Sequence, residues 1–141
     1  MSTLTFSQAL KLIDGATAAA REAGFRPMGI VVVDAAAQVV AMAREDGATA
    51  LRLDIALGKA AAAVGMGANT RVLTQRAKDL PAFFGAVAAV AQQKFVPQTG
   101  AVLITNAEGQ VIGAAGASGG TGDEDEQIVI AGIAASGLNH A

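Results

Sequence analysis

The sequence predicts an α+β fold in which two β-hairpins share one antiparallel sheet and helices cover it. Three observations carry this. Residues 28–34 (MGIVVVD) and 38–44 (QVVAMAR) are short apolar runs rich in β-branched residues, separated by Ala35-Ala36-Ala37. Residues 101–106 (AVLITN) and 110–117 (QVIGAAGA) repeat that arrangement around the turn Asn106-Ala107-Glu108-Gly109. Segments with helical periodicity lie before, between and after the two hairpins.

The elements follow in order. Thr5 and Gln8 have the spacing of a capping box, so a helix opens there. Phe6, Leu10, Ile13, Thr17 and Ala20 recur at spacings of four and three and predict its apolar face. Gly24 stops it. The run 28–34 is too short for a stable helix and reads as a central strand covered on both faces. Glu45-Asp46-Gly47 end the returning strand. Residues 49–69 predict a long helix with Leu53, Leu57, Ala60 and Val64 as its buried stripe. Its three glycines each weaken it by about 1 kcal/mol relative to Ala, and close approach to a neighbour would offset that. A short helix over 70–79 is broken by Pro81 and resumes over 82–92. Pro97 and Gly100 bracket a turn into the second hairpin, and a last helix runs from about 122 to 136, closed by Gly137.

The two hairpins align when Asp34 is set on Asn106. Gly109 then stands where positive φ is needed, and Ala37 stands at the same place in the first turn. That implies a different first turn or about 1 kcal/mol of strain.

A length of 141 residues predicts one domain with a real core. Ten Lys and Arg stand against twelve Asp and Glu with no basic stripe, which argues against nucleic acid as a partner. No apolar run reaches the 18 or so residues of a membrane span, and no leader pattern appears, so a cytoplasmic location is expected. Cysteine is absent, which removes disulfides and thiolate chemistry. Aromatics are 4% of the chain, all Phe, while Ala and Gly abound. Smooth apolar helix faces of that kind predict homo-oligomers.

Four groups of residues are candidates for chemistry. Arg52 and Lys59 are seven apart and share one helix face. They are either solvated and paired with a carboxylate or a clamp for a carboxylate, phosphate or propionate. Phe83 and Phe84 follow Pro81 and are either core anchors or the wall of a flat apolar site. Ser118, Gly119 and Gly120 open the stretch SGGTGDEDE, whose glycines allow backbone N–H groups to converge on an anion. The four carboxylates that follow would repel a phosphate. They also fan out on a helix, so no metal site is expected. Thr121 and Glu124 have capping-box spacing. Capping leaves Asp125 and Glu126 unexplained, and burial of one would raise its pKa into the range of a general acid or base.

Several stretches together carry a resemblance that spans nearly the whole chain. They are REDGATALRLDIALGKA (44–60), the Pro-Ala-Phe-Phe segment at 81–84, and the pattern from Gly109 to Gly137 with its SGG and Asp-Glu steps. The sequence resembles the GlcG/HbpS family, also called the heme-degrading or PduO C-terminal domain family. The resemblance implies a profilin-like three-layer sandwich: an antiparallel sheet of about five strands with helices on both faces. It implies homo-oligomers, and heme or corrinoid-related binding in some members. It also adds weight to Lys59 and to the pair Asp125 and Glu126. Heme iron normally takes His, Cys, Met or Tyr. This chain has no Cys or Tyr, and its one histidine is the penultimate residue His140, where chain ends fray. Heme would therefore rest its porphyrin on an apolar surface, with Arg52 or Lys59 on a propionate.

Two functions remain open at this point, beside a structural possibility, an accessory subunit whose smooth Ala faces bind another protein. One is a binding protein holding a flat or anionic ligand near Arg52, Lys59, Phe83 and Phe84. The other is a cofactor-independent tautomerase, isomerase or lyase acting on a small organic acid. There Arg52 or Lys59 would fix the carboxylate, and Asp125 or Glu126 would move a proton.

Overall fold

The two predicted hairpins form the centre of a single sheet. In the computed structural model, which describes residues 3–92 and 94–141, the first hairpin is β1 (Gly29–Asp34) and β2 (Val39–Arg44). The second is β3 (Ala101–Thr105) and β4 (Val111–Ser118). Five helices surround them: α1 (Phe6–Ala23), α2 (Arg52–Met66), α3 (Thr70–Asp79), α4 (Pro81–Val90) and α5 (Gly122–Ala135). A short β5 (Asn139–His140) completes a sheet ordered β2-β1-β4-β3-β5, antiparallel throughout.

Side-chain alternation divides the sheet into two buried faces. Val31, Val33, Leu103 and Ala114 meet α2 through Ala56, Ala60 and Ala63. Ile30, Val32, Val102 and Ile104 meet Leu12 and Ala16 of α1 and Ile128 and Ile133 of α5 on the other side. This is the three-layer arrangement that the resemblance implies. Small residues set the spacing between layers. A Cβ on Gly116 would come within 2.5 Å of the Ala56 carbonyl oxygen, and one on Gly132 within 2.5 Å of the Leu12 carbonyl oxygen.

The apolar face predicted for α1 is rotated by about one residue. Ala9, Leu12, Ile13, Ala16 and Ala20 are buried, whereas Phe6 and Leu10 are exposed. The reason is α5, which approaches α1 so closely that alanines fill the contact. The capping box of Thr5 with Gln8 and the left-handed Gly24 are as expected. In α2 Ala60 of the predicted stripe is buried, and Leu53, Leu57 and Val64 are half-buried against the cluster that Ala56, Ala60 and Ala63 form with the sheet. The helix is shorter than predicted, because Gly67 adopts φ 67° and ends it.

The two hairpins carry the same turn. Asp34 Oδ1 accepts from the N–H groups of Ala36 and Gln38 at 2.9 and 3.0 Å. Asn106 Oδ1 accepts from Glu108 and Gln110 at 3.0 and 2.9 Å. Gly109 has φ 80° and Ala37 φ 61°, so Ala37 takes the left-handed conformation rather than a different turn. The turn is therefore not a different one, and a left-handed alanine of this kind costs about 1 kcal/mol.

One edge of the sheet is closed without a full strand. Thr70 Oγ1 both donates to the Ala101 carbonyl (3.1 Å) and accepts from the Ala101 N–H (2.8 Å). Asn69 Oδ1 accepts from the Leu103 N–H at 2.8 Å. Beyond them β5 pairs His140 with Ile104, so the penultimate residue is hydrogen-bonded in the sheet and not frayed.

Candidate functional site

The N-terminal half of α2, the end of β4 and the start of α5 converge on a cleft of about 390 Å³. Its walls include Arg52, Lys59, Thr99, Ser118, Gly120 and Asp125. The heptad spacing of Arg52 and Lys59 sets both on the side of α2 that meets the end of β4, where they reach the Ser118 hydroxyl and the Ala117 carbonyl.

Lys59 and Asp125 form the floor. Lys59 is 5% exposed and Asp125 2%. Lys59 Nζ donates to Asp125 Oδ2 at 3.0 Å and to the Ala117 carbonyl at 3.0 Å. Asp125 Oδ1 accepts from the Gly120 N–H at 2.9 Å. Burial pushes the Asp125 carboxyl above its ordinary value of 3.8, and Lys59, the Gly120 N–H and Arg52 oppose that rise. Gly100 makes room for the ammonium: a Cβ there would lie 2.6 Å from Lys59 Nζ, and its φ of 140° also favours glycine.

Arg52 forms the rim. Its Nε donates to Thr49 Oγ1 at 3.0 Å and its Nη1 to Ser118 Oγ at 3.1 Å. Among the described residues no carboxylate lies within salt-bridge distance of it. A guanidinium carries five N–H donors, so most of this fork is left for a ligand.

The glycine loop is not an open anion nest. The Gly120 N–H is taken by Asp125 and the Thr121 N–H by Glu124 Oε1 at 2.9 Å. Thr121 Oγ1 in turn accepts from the Glu124 N–H at 3.2 Å, which completes the predicted capping box. Asp125 has its own task, binding the loop to Lys59, and this is what capping did not account for.

Arg52, Lys59, Ser118, Gly120 and Asp125 thus lie together. Gly119 faces away, against the Pro27 carbonyl and Met28. Glu126 is turned away from Asp125 and does not line the cleft; it accepts from Arg71 Nε at 3.1 Å. Arg71 also pairs with Asp123, and the bonds from Glu126 and then Asp123 raise its pKa. Phe84 is buried against Phe95 with ring centroids 5.7 Å apart, and Phe83 is 54% exposed. Both belong to α4, outside the cleft. The cleft also contains Ile55, Val96, Gln98 and Thr99, which sequence reasoning did not select. They come from α2 and from an irregular segment without periodicity, so no local pattern marks them.

Among the described residues no group of three or more His, Asp or Glu side chains is placed to hold a metal, and no helix is long and apolar enough to cross a membrane.

The family model described as haem degrading protein HbpS-like matches residues 4–134. The chain belongs to the HbpS-like family. Solved structures agree with this placement. A PduOC–heme complex is 27% identical with a TM-score of 0.87, covering 98% of each chain. HbpS is 30% identical with a TM-score of 0.82, covering 95% of this chain and 90% of its own. The Klebsiella pneumoniae protein ORFY is 26% identical with a TM-score of 0.87, covering 97% and 92%. A comparison with curated proteins gives no match. The HbpS-like neighbours thus share the fold along nearly their whole length, cleft-forming elements included.

Proposed function

We propose that this protein binds a small molecule by a carboxylate held at Arg52, and that heme is the first ligand to test. The observation that carries the reading is the Arg52 guanidinium at the rim of the cleft, with N–H groups to spare and no carboxylate partner among the described residues. A planar fork of this kind suits a carboxylate in bidentate fashion. The PduOC–heme neighbour brings heme forward, because heme carries two propionates.

The two parts of heme make different demands on the cleft. A propionate fits Arg52 and the Ser118 hydroxyl. The iron is not provided for, since among the described residues no His, Cys, Tyr or Met lines the cleft. His140 sits on β5 at the sheet edge and Met28 is fully buried. Heme bound here would be held by its anionic edge, without an iron ligand from the cleft. Hemin titration followed at the Soret band tests this. A saturable shift at micromolar hemin is expected, weakened at least tenfold by Arg52→Ala. Absence of a saturable shift removes heme, and a shift indifferent to Arg52→Ala removes the cleft as its site.

A homo-oligomer belongs to the same reading. It is supported by Leu80, Phe83 and Val90, which stand exposed on and beside α4. Light scattering of the isolated chain tests it, and a monomer at high concentration would refute it.

One observation favours a second reading, an enzyme acting on a small organic acid. Asp125 is a buried carboxyl with a raised pKa beside an anion-binding arginine, a setting suited to moving a proton. Glu126, engaged with Arg71 outside the cleft, has no part in it. Exchange of the α-protons of pyruvate in D₂O, followed by NMR, tests this reading. Exchange that needs the protein and is lost in Asp125→Asn supports it, and exchange that survives Asp125→Asn excludes this residue.

A further inference from the structure

We infer that the cleft selects a singly charged carboxylate and rejects phosphate, an inference that rests on Arg52 being the anion anchor. Two independent observations carry it. The first is charge balance. Arg52, Lys59, Asp123 and Asp125 line the cleft, and Asp123 is paired with Arg71, which also holds Glu126. Lys59 is already committed to Asp125, which leaves Arg52 as the cation open to a ligand. A monoanion matches that one charge. A group that carries two negative charges brings a second one for which the described lining has no uncommitted cation, since Lys59 is held by Asp125 and Arg71 by Asp123 and Glu126.

The second observation is the state of the glycine loop. A strand-to-helix loop rich in glycine usually takes phosphate on converging backbone N–H groups. Here two of those groups are held by the chain's own carboxylates: Gly120 by Asp125 and Thr121 by Glu124. Phosphate oxygens would have to displace both contacts, and the displaced carboxylates would remain beside them. A carboxylate on Arg52 and Ser118 needs neither amide.

The prediction is measurable with acetate, lactate and inorganic phosphate as probes. The Arg52 Nε–H resonance and the amides of 118–122 report occupancy by NMR titration. Acetate and lactate are expected to shift the Arg52 signal saturably, and phosphate to bind roughly tenfold more weakly. Raising the pH through the second ionisation of phosphate should widen the gap. Asp123→Asn, which removes one negative charge from the lining and loosens its partner Arg71, should narrow it. Phosphate binding as tight as acetate, with the Arg52 signal moving, overturns the selectivity and leaves the Arg52 anchor standing. No shift of Arg52 with any probe overturns the anchor itself, and the selectivity with it.

Discussion

Replacing Lys59 by Met tests whether the buried ion pair organises this site. The side chain keeps its volume and loses its charge. What remains is the Asp125 carboxyl, 2% exposed, with the Gly120 N–H as its surviving donor of the two. Breaking a buried pair by removing one partner costs about 3 kcal/mol. For a chain of 141 residues that lowers the melting temperature by roughly 10 °C. The pH dependence gives the sharper test. Asp125 already holds its proton above the ordinary value because burial outweighs its partners. Without Lys59 it should hold the proton more tightly still. A folded-state pKa raised above the unfolded one gives stability that is full below the unfolded value and lost as pH rises through the folded value. The variant should therefore recover stability, relative to the parent, as the pH falls from about 8 to about 4, next to the ordinary value of 3.8. Adding Asp125→Asn should recover most of the loss at neutral pH, because no charge is then left unpaired. Thermal and urea denaturation of the parent, both single variants and the double variant at these two pH values provide the data. A cost that is equal at both pH values would refute the reasoning. So would a double variant as unstable as the sum of the singles.

Two further changes test the frame. Ala37→Gly relieves a left-handed alanine at φ 61° and should stabilise the protein by about 1 kcal/mol, seen as a melting temperature about 3 °C higher. Gly132→Ala adds a methyl 2.5 Å from the Leu12 carbonyl oxygen. The clash should outweigh the gain in helix propensity and cost about 1–2 kcal/mol net by urea denaturation.

Much of this could be read from the residues themselves, for physical reasons that differ by element. The strands were legible because β-branched runs of this length have few other uses. Both capping boxes were legible because they are local, set by Thr5 with Gln8 and Thr121 with Glu124. The inward face of α1 was not, because alanines carry little periodic signal and α5 decides which of them are covered. Lys59 and Asp125 were noticeable because charge is scarce in so apolar a chain. Their pairing, 66 residues apart in sequence, is a product of topology. Glu126 looked equivalent to Asp125, yet the next residue on a helix points about 100° away, here to Arg71. Phe83 and Phe84 were drawn toward the site by their chemistry, and α4 carries them elsewhere. The β5 strand is two residues long and has no sequence signal of its own.

The packing of α1 on α5 bears on how the protein comes into being. The main partner of α1 is α5, made roughly a hundred residues later, with Gly132 lying against the Leu12 carbonyl. While the ribosome is still translating the middle of the chain, the apolar side of α1 has little to cover it. Synthesis at roughly 5–20 residues per second leaves that surface waiting for several seconds. Folding of the inner core must then wait for α5 and is dominated by contacts distant in sequence, which slows it. The small side chains on that side of α1, alanines more than leucines, present a modest apolar target during the wait. A sequence that buried larger residues there would gain contact area in the finished protein and be stickier on the way to it.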